Sequence, residues 1–296
     1  MKHSIFQGRK RKDLIGLVFV APWVLGFLLF KAFPLLLSTI LSFSEYRIIS
    51  PPIFLGLENF RNAFSSPEFW NSMRVSFVYV VFTVPSKLAF SLLIAYILSS
   101  KVKGIGFFRS IYYIPSLMGG SVAVAILWQY MFMEKGMINK ILGFLYLPTP
   151  TWLAGRYTAM FVIILLRLWQ FGSTMVVFLA ALKNMPVTLV EAAQVDGATR
   201  KRIFWSITIP YITPVIFFNL LTNLVTSFQE FNSPFVITAG GPSQATNLMS
   251  VLIYNNAFRY LKMGYSSALS LILFAVITSV TLLLFASSKR WVNYQD

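Results

Sequence analysis

Residues 186–210 read PVTLVEAAQVDGATRKRIFWSITIP. This stretch is polar and charged, and it lies between two long apolar runs at 157–182 and 211–231. A loop that only connects two membrane-spanning helices needs a few polar residues, so a loop of this length and charge predicts a further task. We expect this stretch to contact another protein and the flanking runs to lie in a membrane.

The stretch is predicted to form two short helices. Thr188 and Glu191 have the spacing of a capping box, so a helix is expected over Val187–Val195. Asp196-Gly197 predicts a break, because glycine permits a left-handed backbone and aspartate can cap the helix that follows. A second short helix is then expected over Ala198–Trp205.

Two interpretations of this stretch remain open from the residues alone. Two short helices at an angle would form a projecting knob that approaches another protein closely. Alternatively, the stretch is an amphipathic loop that lies on the lipid headgroups and contacts anionic lipid through Arg200–Arg202.

The composition predicts an all-α, polytopic membrane protein. Of the 296 residues, 57% are hydrophobic and 11% are charged, whereas a soluble domain carries roughly 25% charged residues. The length accommodates about six spans of ~20 residues each. Cysteine is absent and the single histidine is His3, so we expect no catalytic residue and no metal site.

Basic residues predict the orientation of the chain. They collect in the tail at 1–13, in the loop at 99–109, in the stretch 186–210 and after the last span, which indicates the cytoplasmic side. Both termini are then cytoplasmic, and the net charge of +16 needs no nucleic-acid partner. The predicted spans are Leu14–Phe33, Val75–Leu98, Ser110–Phe132, Tyr157–Leu182, Tyr211–Phe231 and Ser266–Ser287.

This organisation predicts two parts. Residues 1–13 form a basic cytoplasmic tail. Residues 14–296 form a single transmembrane domain, with its core at 70–287 and its polar loop at 184–210.

Four charged residues fall within or at the end of these spans, namely Lys31, Lys87, Arg167 and Glu230. Such residues are costly in a bilayer and usually face a protein interior or a water-filled cavity. Arg167 lies about 15 Å inside the fourth span, Lys87 lies deep in the second, and Glu230 is the one evident acidic partner. The sequence leaves open whether they form a structural ion pair, extend towards the membrane surface, or line a path.

The polar stretch resembles the signature loop of the permeases of binding-protein-dependent ABC importers. That pattern is Glu-Ala-Ala, three residues, Gly, nine residues, then Ile-x-Leu-Pro. The chain has Glu191-Ala192-Ala193, Gly197 and Ile207-Thr208-Ile209-Pro210 at this spacing, and its one departure is Ile209 in place of leucine. The run at 178–186 and Gly240-Gly241-Pro242 resemble the sugar branch, and within it subunits related to the first permease of the maltose system.

The resemblance implies a coupling helix that docks into a cleft on a cytoplasmic ATPase subunit. It implies a heterodimer with a second homologous permease, two ATPase subunits, an extracytoplasmic solute-binding protein and surrounding lipid, in a bacterial plasma membrane. The chain has no Gly-x4-Gly-Lys-Ser/Thr motif, so ATP and magnesium are expected on the ATPase subunits and no cofactor in this chain. The contact with the ATPase is assigned to Glu191, Ala192, Ala193, Asp196, Gly197 and Ala198.

In relatives of the maltose type, the substrate contacts come from the spans on either side of the coupling loop. Amides and carboxylates suit sugar hydroxyls, and the ring of Phe228 or Trp169 suits a sugar face. A polar stripe at 219, 223, 226, 227 and 230 fits this use, although hydrogen bonding to the second permease would give the same stripe. The residues expected along the substrate path are Lys87, Arg167, Trp169, Gln170, Asn223, Ser227, Phe228 and Glu230.

The expected function is therefore that of the permease subunit of an ATP-driven importer of sugars, with oligosaccharide as the expected substrate. Arg167 and Lys87 leave an acidic oligosaccharide or a sugar phosphate as an alternative. An ion-coupled secondary transporter is less favoured, because that class needs an intramembrane ion site and only Glu230 lies near one.

Overall fold

The computed structural model describes residues 19–99 and 104–293. The predicted basic tail at 1–13, the first residues of the first predicted span and part of the loop at 99–109 lie outside the described residues. Within the described residues the chain is almost entirely helical, because a backbone in lipid has to satisfy its hydrogen bonds within its own segment.

The element order begins with a long helix and a hairpin and continues with helices. Three π-helical turns occur among the described residues, at Leu28–Ala32, Phe204–Thr208 and Asn255–Arg259. The strands are β1 (Ser44–Arg47) and β2 (Ser50–Phe54), and the helices are α1 (Phe19–Ser42), α2 (Glu58–Ser65), α3 (Pro67–Ser99), α4 (Ile105–Leu117), α5 (Val122–Phe132), α6 (Met137–Phe144), α7 (Arg156–Trp169), α8 (Gly172–Asn184), α9 (Val187–Val195), α10 (Arg200–Phe228), α11 (Asn232–Thr238), α12 (Met249–Tyr254) and α13 (Met263–Ser288).

Membrane spans account for most of these helices. Among the described residues, four helices are long and apolar enough to cross a membrane, namely α1, α3, α10 and α13. Two bent pairs pass the same test, α4 with the helical run that follows it and α7 with α8, which makes up to six spans. The predicted all-α fold with about six spans is therefore confirmed.

The third predicted span, Ser110–Phe132, was expected to be continuous, and this is wrong. The chain bends by 99° between Gly106–Leu117 and the helical run Val122–Phe144. Gly120 lies in the break with φ +76°, a left-handed conformation that glycine adopts at low cost. Hydropathy alone could not detect this break, because the residues on both sides of it are equally apolar.

The fourth predicted span, Tyr157–Leu182, is also interrupted, by a bend of 44° between α7 and α8. Gly172 begins α8 at a close backbone approach: a Cβ there would lie 2.8 Å from the Tyr113 Cα. The Ser173 N–H donates to the Ser116 hydroxyl at 2.9 Å. The start of α8 is therefore held directly against α4.

The described residues form two compact units. The first comprises residues 19–65 and 255–272. In it β1 and β2 pair antiparallel, and the Asn59 side chain donates to the backbone oxygens of Ser42 and Ser44, both at 2.9 Å. This amide joins α2 to the end of α1 and to the hairpin, in the segment between the first two predicted spans.

The second unit comprises residues 66–99, 104–254 and 273–293, with α3 at its centre. Helix α3 packs against α7, α8 and α10. Its buried side chains include apolar residues such as Val84 and Leu88, and also the polar residues Ser72, Ser76, Tyr79, Thr83, Lys87 and Ser91. A polar stripe therefore runs along the buried face of the central helix.

Candidate functional site

The polar stretch at 186–210 contains a helix whose residues are not buried against the rest of the described chain. Helix α9 covers Val187–Val195, the range predicted from sequence. No residue of α9 is buried within the described part of the chain. Glu191 and Ala192 are exposed, Ala193 is half-buried, and a groove of about 220 Å³ separates α9 from the first turns of α10. This helix is available to a partner.

The end of α9 is a Schellman motif centred on Gly197. The Ala198 N–H donates to the Ala193 carbonyl at 2.9 Å and the Gly197 N–H to the Gln194 carbonyl at 3.0 Å. Gly197 has φ +76°, the left-handed conformation that this motif requires. A Cβ at Gly197 would meet no atom within 4 Å. Glycine is therefore favoured at position 197 by the left-handed backbone conformation and not by a lack of room for a side chain.

The predicted capping box at Thr188 and Glu191 is not formed. Pro186 is the N-cap of α9, and no side chain caps this helix in the described structure. Thr188 is the second residue of α9 and not its N-cap. Its hydroxyl is therefore not at the position from which a side chain accepts from the free N–H groups of the first turn.

The predicted second short helix, Ala198–Trp205, is also wrong. Thr199, and not Asp196, is the N-cap, and its hydroxyl accepts from the Arg202 N–H at 3.3 Å. The helix that begins at Arg200 continues without interruption to Phe228 as α10. The stretch 186–210 is therefore one short helix joined by a tight turn to the start of a long one.

A charged cluster lies in the second unit. The Arg167 Nε lies 3.2 Å from the Glu230 Oε2, and these side chains are 15% and 8% exposed. The other Glu230 oxygen accepts from the Ser233 N–H at 3.1 Å and from the Ser233 hydroxyl at 2.7 Å. Arg167 also donates from Nη1 to the Gln170 Oε1 at 3.3 Å. The pair is thus buried and hydrogen-bonded, as a stable buried ion pair requires.

Lys87 of α3 adds a second positive charge to this cluster. Its side chain is 7% exposed and interacts electrostatically with both Arg167 and Glu230. Within residues 19–99 and 104–293, its ammonium forms no direct hydrogen bond or ion pair. Because Arg167 and Glu230 neutralise each other, the cluster has a net charge of one positive unit.

A cleft of about 390 Å³ opens beside these charges. Asn223 lies in its wall and donates to the Thr174 hydroxyl at 3.2 Å and to the Asn219 carbonyl at 2.9 Å, which joins α10 to α8. The exposed hydroxyls of Thr222 and Thr226 bond back to their own helix. The cleft is lined by Lys87, Arg167, Ser173, Thr174, Val177, Phe218, Asn219, Thr222, Asn223 and Thr226.

The residues expected along a substrate path do not all reach this cleft. Lys87, Arg167 and Asn223 line it, and Gln170 and Glu230 bond to Arg167. Ser227 is buried behind the wall. Phe228 is 1% exposed and packs edge-on against Phe77, whereas Trp169 is 38% exposed and packs against Trp128. Of the two rings considered for a sugar face, only that of Trp169 is accessible.

The sequence analysis missed two residues beside the charged pair. Tyr79 and Thr83 are buried on α3, and the Tyr79 hydroxyl lies close to the side chains of Thr83 and Arg167. Tyr79 interacts electrostatically with Glu230 and Arg167. The polar positions 72, 76, 79, 83, 87 and 91 recur at three- and four-residue spacing, so the signal was present as a helical stripe.

Comparison with known proteins connects the loop and the cleft to a family. The sequence profile of the family described as binding-protein-dependent transport system inner membrane component matches residues 62–293. The chain belongs to this family. The match includes the polar stretch at 186–210, the charged cluster and every residue lining the cleft.

Individual relatives of this permease cover almost its whole length. It is 42% identical over 291 residues to the probable ABC transporter permease protein YesP of Bacillus subtilis (strain 168), covering 97% of this chain and 94% of YesP. It is 33% identical over 272 residues to the arabinooligosaccharides transport system permease protein AraP of the same organism, covering 90% and 86%.

A solved structure has the same fold. It is described as a bacterial ABC transporter involved in the import of the acidic polysaccharide alginate, and it superposes with a TM-score of 0.84 at 20% identity, covering 98% of this chain and 100% of that chain. The permease is thus a multi-pass membrane component of an ABC importer and a transport subunit, not an enzyme.

Proposed function

We propose that this permease forms half of the translocation pathway of an ATP-driven sugar importer, and that α10 transmits movement of the coupling loop to the substrate path. The observation that carries the proposal is the continuity of α10. One uninterrupted helix begins at the coupling loop with Arg200 and carries Asn219 and Asn223 in the wall of the cleft.

The geometry of α9 supports its role in coupling. The helix is unburied along its whole length and is anchored to α10 by the Schellman turn at Gly197. A partner that moves α9 therefore acts on the end of a helix that reaches about 35 Å further to Asn223. Docking of α9 on a cytoplasmic ATPase subunit converts closure of the ATPase pair into movement of the spans around the cleft.

The chemistry of the cleft supports a path for a polar substrate. Its wall combines amides, hydroxyls and two cations inside an otherwise apolar unit. Polar side chains within membrane-spanning helices usually face water, a substrate or one another. Trp169 follows Arg167 by two residues, and its ring is 38% exposed. It is the residue that we assign to the face of a sugar.

The relatives support sugar as the substrate class. AraP is named for arabinooligosaccharides, and the chain covers most of its length. The proposed assembly contains a second homologous permease, two ATPase subunits that bind ATP and magnesium, and an extracytoplasmic binding protein. In this assembly the coupling loop and both termini face the cytoplasm.

The decisive experiment reconstitutes the chain with a second permease, ATPase subunits and a solute-binding protein from the same organism. ATP hydrolysis is then measured with and without sugar-loaded binding protein, beside uptake of labelled sugar. Gly197→Asp adds a negative charge at the C-terminal end of the unburied helix α9, which the helix dipole disfavours. We expect it to insert normally and to lose assembly with the ATPase or stimulated hydrolysis. Normal stimulation in that variant would contradict the coupling assignment.

A further inference from the structure

The cleft has an unbalanced charge. Two of the described residues that line it are cations, Lys87 and Arg167, and none is an acid. Glu230 neutralises Arg167 from behind the wall, and both oxygens of that carboxylate are occupied. Lys87, nine-tenths buried and without a direct partner in the described chain, is therefore the charge that the cleft leaves uncompensated.

We propose that this cleft selects sugars that carry a carboxylate, and that Lys87 binds that carboxylate. The inference rests on the proposed function and narrows its substrate to acidic oligosaccharides. A buried ammonium without a counterion is costly in a bilayer, so a substrate that brings one negative charge gains more from this cleft than a neutral sugar does.

The hydrogen-bond donors in the wall also favour an anion. The Lys87 ammonium has three N–H groups and none is used within the described residues. Arg167 also lines the cleft, although its Nε and one N–H of Nη1 are used on Glu230 and Gln170. Among the described residues of this region, the one carboxylate, that of Glu230, is already occupied by Arg167 and Ser233 and is not offered to a sugar hydroxyl.

The size of the charge favours a carboxylate over a phosphate. The cluster of Lys87, Arg167 and Glu230 has one net positive unit, which a carboxylate neutralises. A phosphate monoester carries about −1.5 to −2 charges at neutral pH and would leave negative charge buried. A sugar phosphate is therefore the less suitable anion for this cleft.

The test uses the full transporter in vesicles, with ATP in the lumen and binding protein outside. The labelled probes are trisaccharides that contain a single galacturonate, glucuronate or guluronate residue, their neutral methyl esters, and glucose 6-phosphate. Lys87→Met removes the charge at similar length, Lys87→Arg keeps it, and Lys183→Met removes an exposed charge in α8 as the matched control. Assembly of each variant is checked by co-purification with the other subunits.

We expect wild-type vesicles to take up at least one uronate-containing trisaccharide in preference to its ester. Lys87→Met should lower the ratio of acidic to neutral uptake by about 10- to 100-fold, the range for loss of a charged hydrogen bond. Lys87→Arg should retain most of the ratio, and Lys183→Met should leave it unchanged.

Three outcomes would overturn the inference. Uptake of neutral esters alone, or of glucose 6-phosphate in preference to every uronate, would refute it while leaving a sugar importer in place. A Lys87→Met variant that no longer co-purifies with the second permease would show that Lys87 pairs with that subunit instead. Uptake of none of these probes, together with ATP hydrolysis that no sugar-loaded binding protein stimulates, would contradict the proposed function itself.

Discussion

Arg167 in α7 and Glu230, just beyond the end of α10, form a buried ion pair with 3.2 Å between Nε and Oε2. The pair joins two segments that are far apart in sequence. The backbone carbonyl of Glu230 also accepts from the Ser250 hydroxyl, so the pair is connected to α12 as well. Glu230 thus connects three segments. Its carboxylate binds Arg167 of α7 and Ser233 of α11, and its backbone carbonyl binds Ser250 of α12.

Removal of one member of this pair should destabilise the permease more than removal of both. Arg167→Met leaves a buried carboxylate without its cation, which costs about 3–5 kcal/mol. Arg167→Met with Glu230→Met removes both charges at similar volume and should recover much of that loss. Thermal unfolding of the detergent-solubilised chain, monitored by tryptophan fluorescence, measures the difference. Equal losses in the single and double variants would show that the pair does not act as a unit.

Gly197 offers a separate test of backbone handedness. Gly197→Ala introduces no clash, because a Cβ there meets no atom within 4 Å. It should nevertheless cost about 1–2 kcal/mol in the left-handed conformation, disorder the turn after α9 and lower substrate-stimulated ATP hydrolysis. Gly197→Asn is the control, since asparagine tolerates this conformation, and it should retain more activity than alanine. If alanine is tolerated as well as asparagine, handedness is not what this position requires.

Thr199 and Thr188 test which threonine caps a helix. Thr199→Ala removes the acceptor for the Arg202 N–H and should cost about 1 kcal/mol, as the loss of an N-cap does. Hydrogen exchange of the amides at 200–203 should rise. Thr188→Ala should leave exchange in α9 unchanged, because no capping box is formed there. If Thr188→Ala increases hydrogen exchange in α9, Thr188 caps this helix and the capping box is formed after all.

Gly172 tests the break between α7 and α8. A methyl group there would collide with the backbone of Tyr112 and Tyr113, so Gly172→Ala should separate α8 from α4 and cost about 1–3 kcal/mol by overpacking. Gly106→Ala, in the same α4, meets nothing within 4 Å and serves as the control. The midpoint of thermal unfolding should fall for Gly172→Ala and stay unchanged for Gly106→Ala.

Much of the fold could be predicted because its signals are local. Hydropathy located the spans, and the pattern around Gly197 placed the end of α9 where the structure has it. The break at Gly120 was missed because it changes neither length nor polarity, and Thr199 was missed because the aspartate before it has the same capping chemistry. The pairing of Arg167 with Glu230 depends on tertiary packing, although Glu230 was the one acidic partner that the spans offered.

Trp169 and Phe228 provide the last test, because the structure separates two rings that sequence treated as equivalent. Phe228 is 1% exposed, so Phe228→Ala should cost about 3–5 kcal/mol of stability as a cavity in the core. Trp169 is 38% exposed, so Trp169→Ala should lose less stability. If its ring binds a sugar face, this variant should instead raise the sugar concentration needed for half-maximal uptake, and Trp169→Phe should restore part of it. Phe228→Leu keeps the core filled and serves as the control. If Phe228→Leu lowers uptake and Trp169→Ala does not, the sugar does not bind at Trp169.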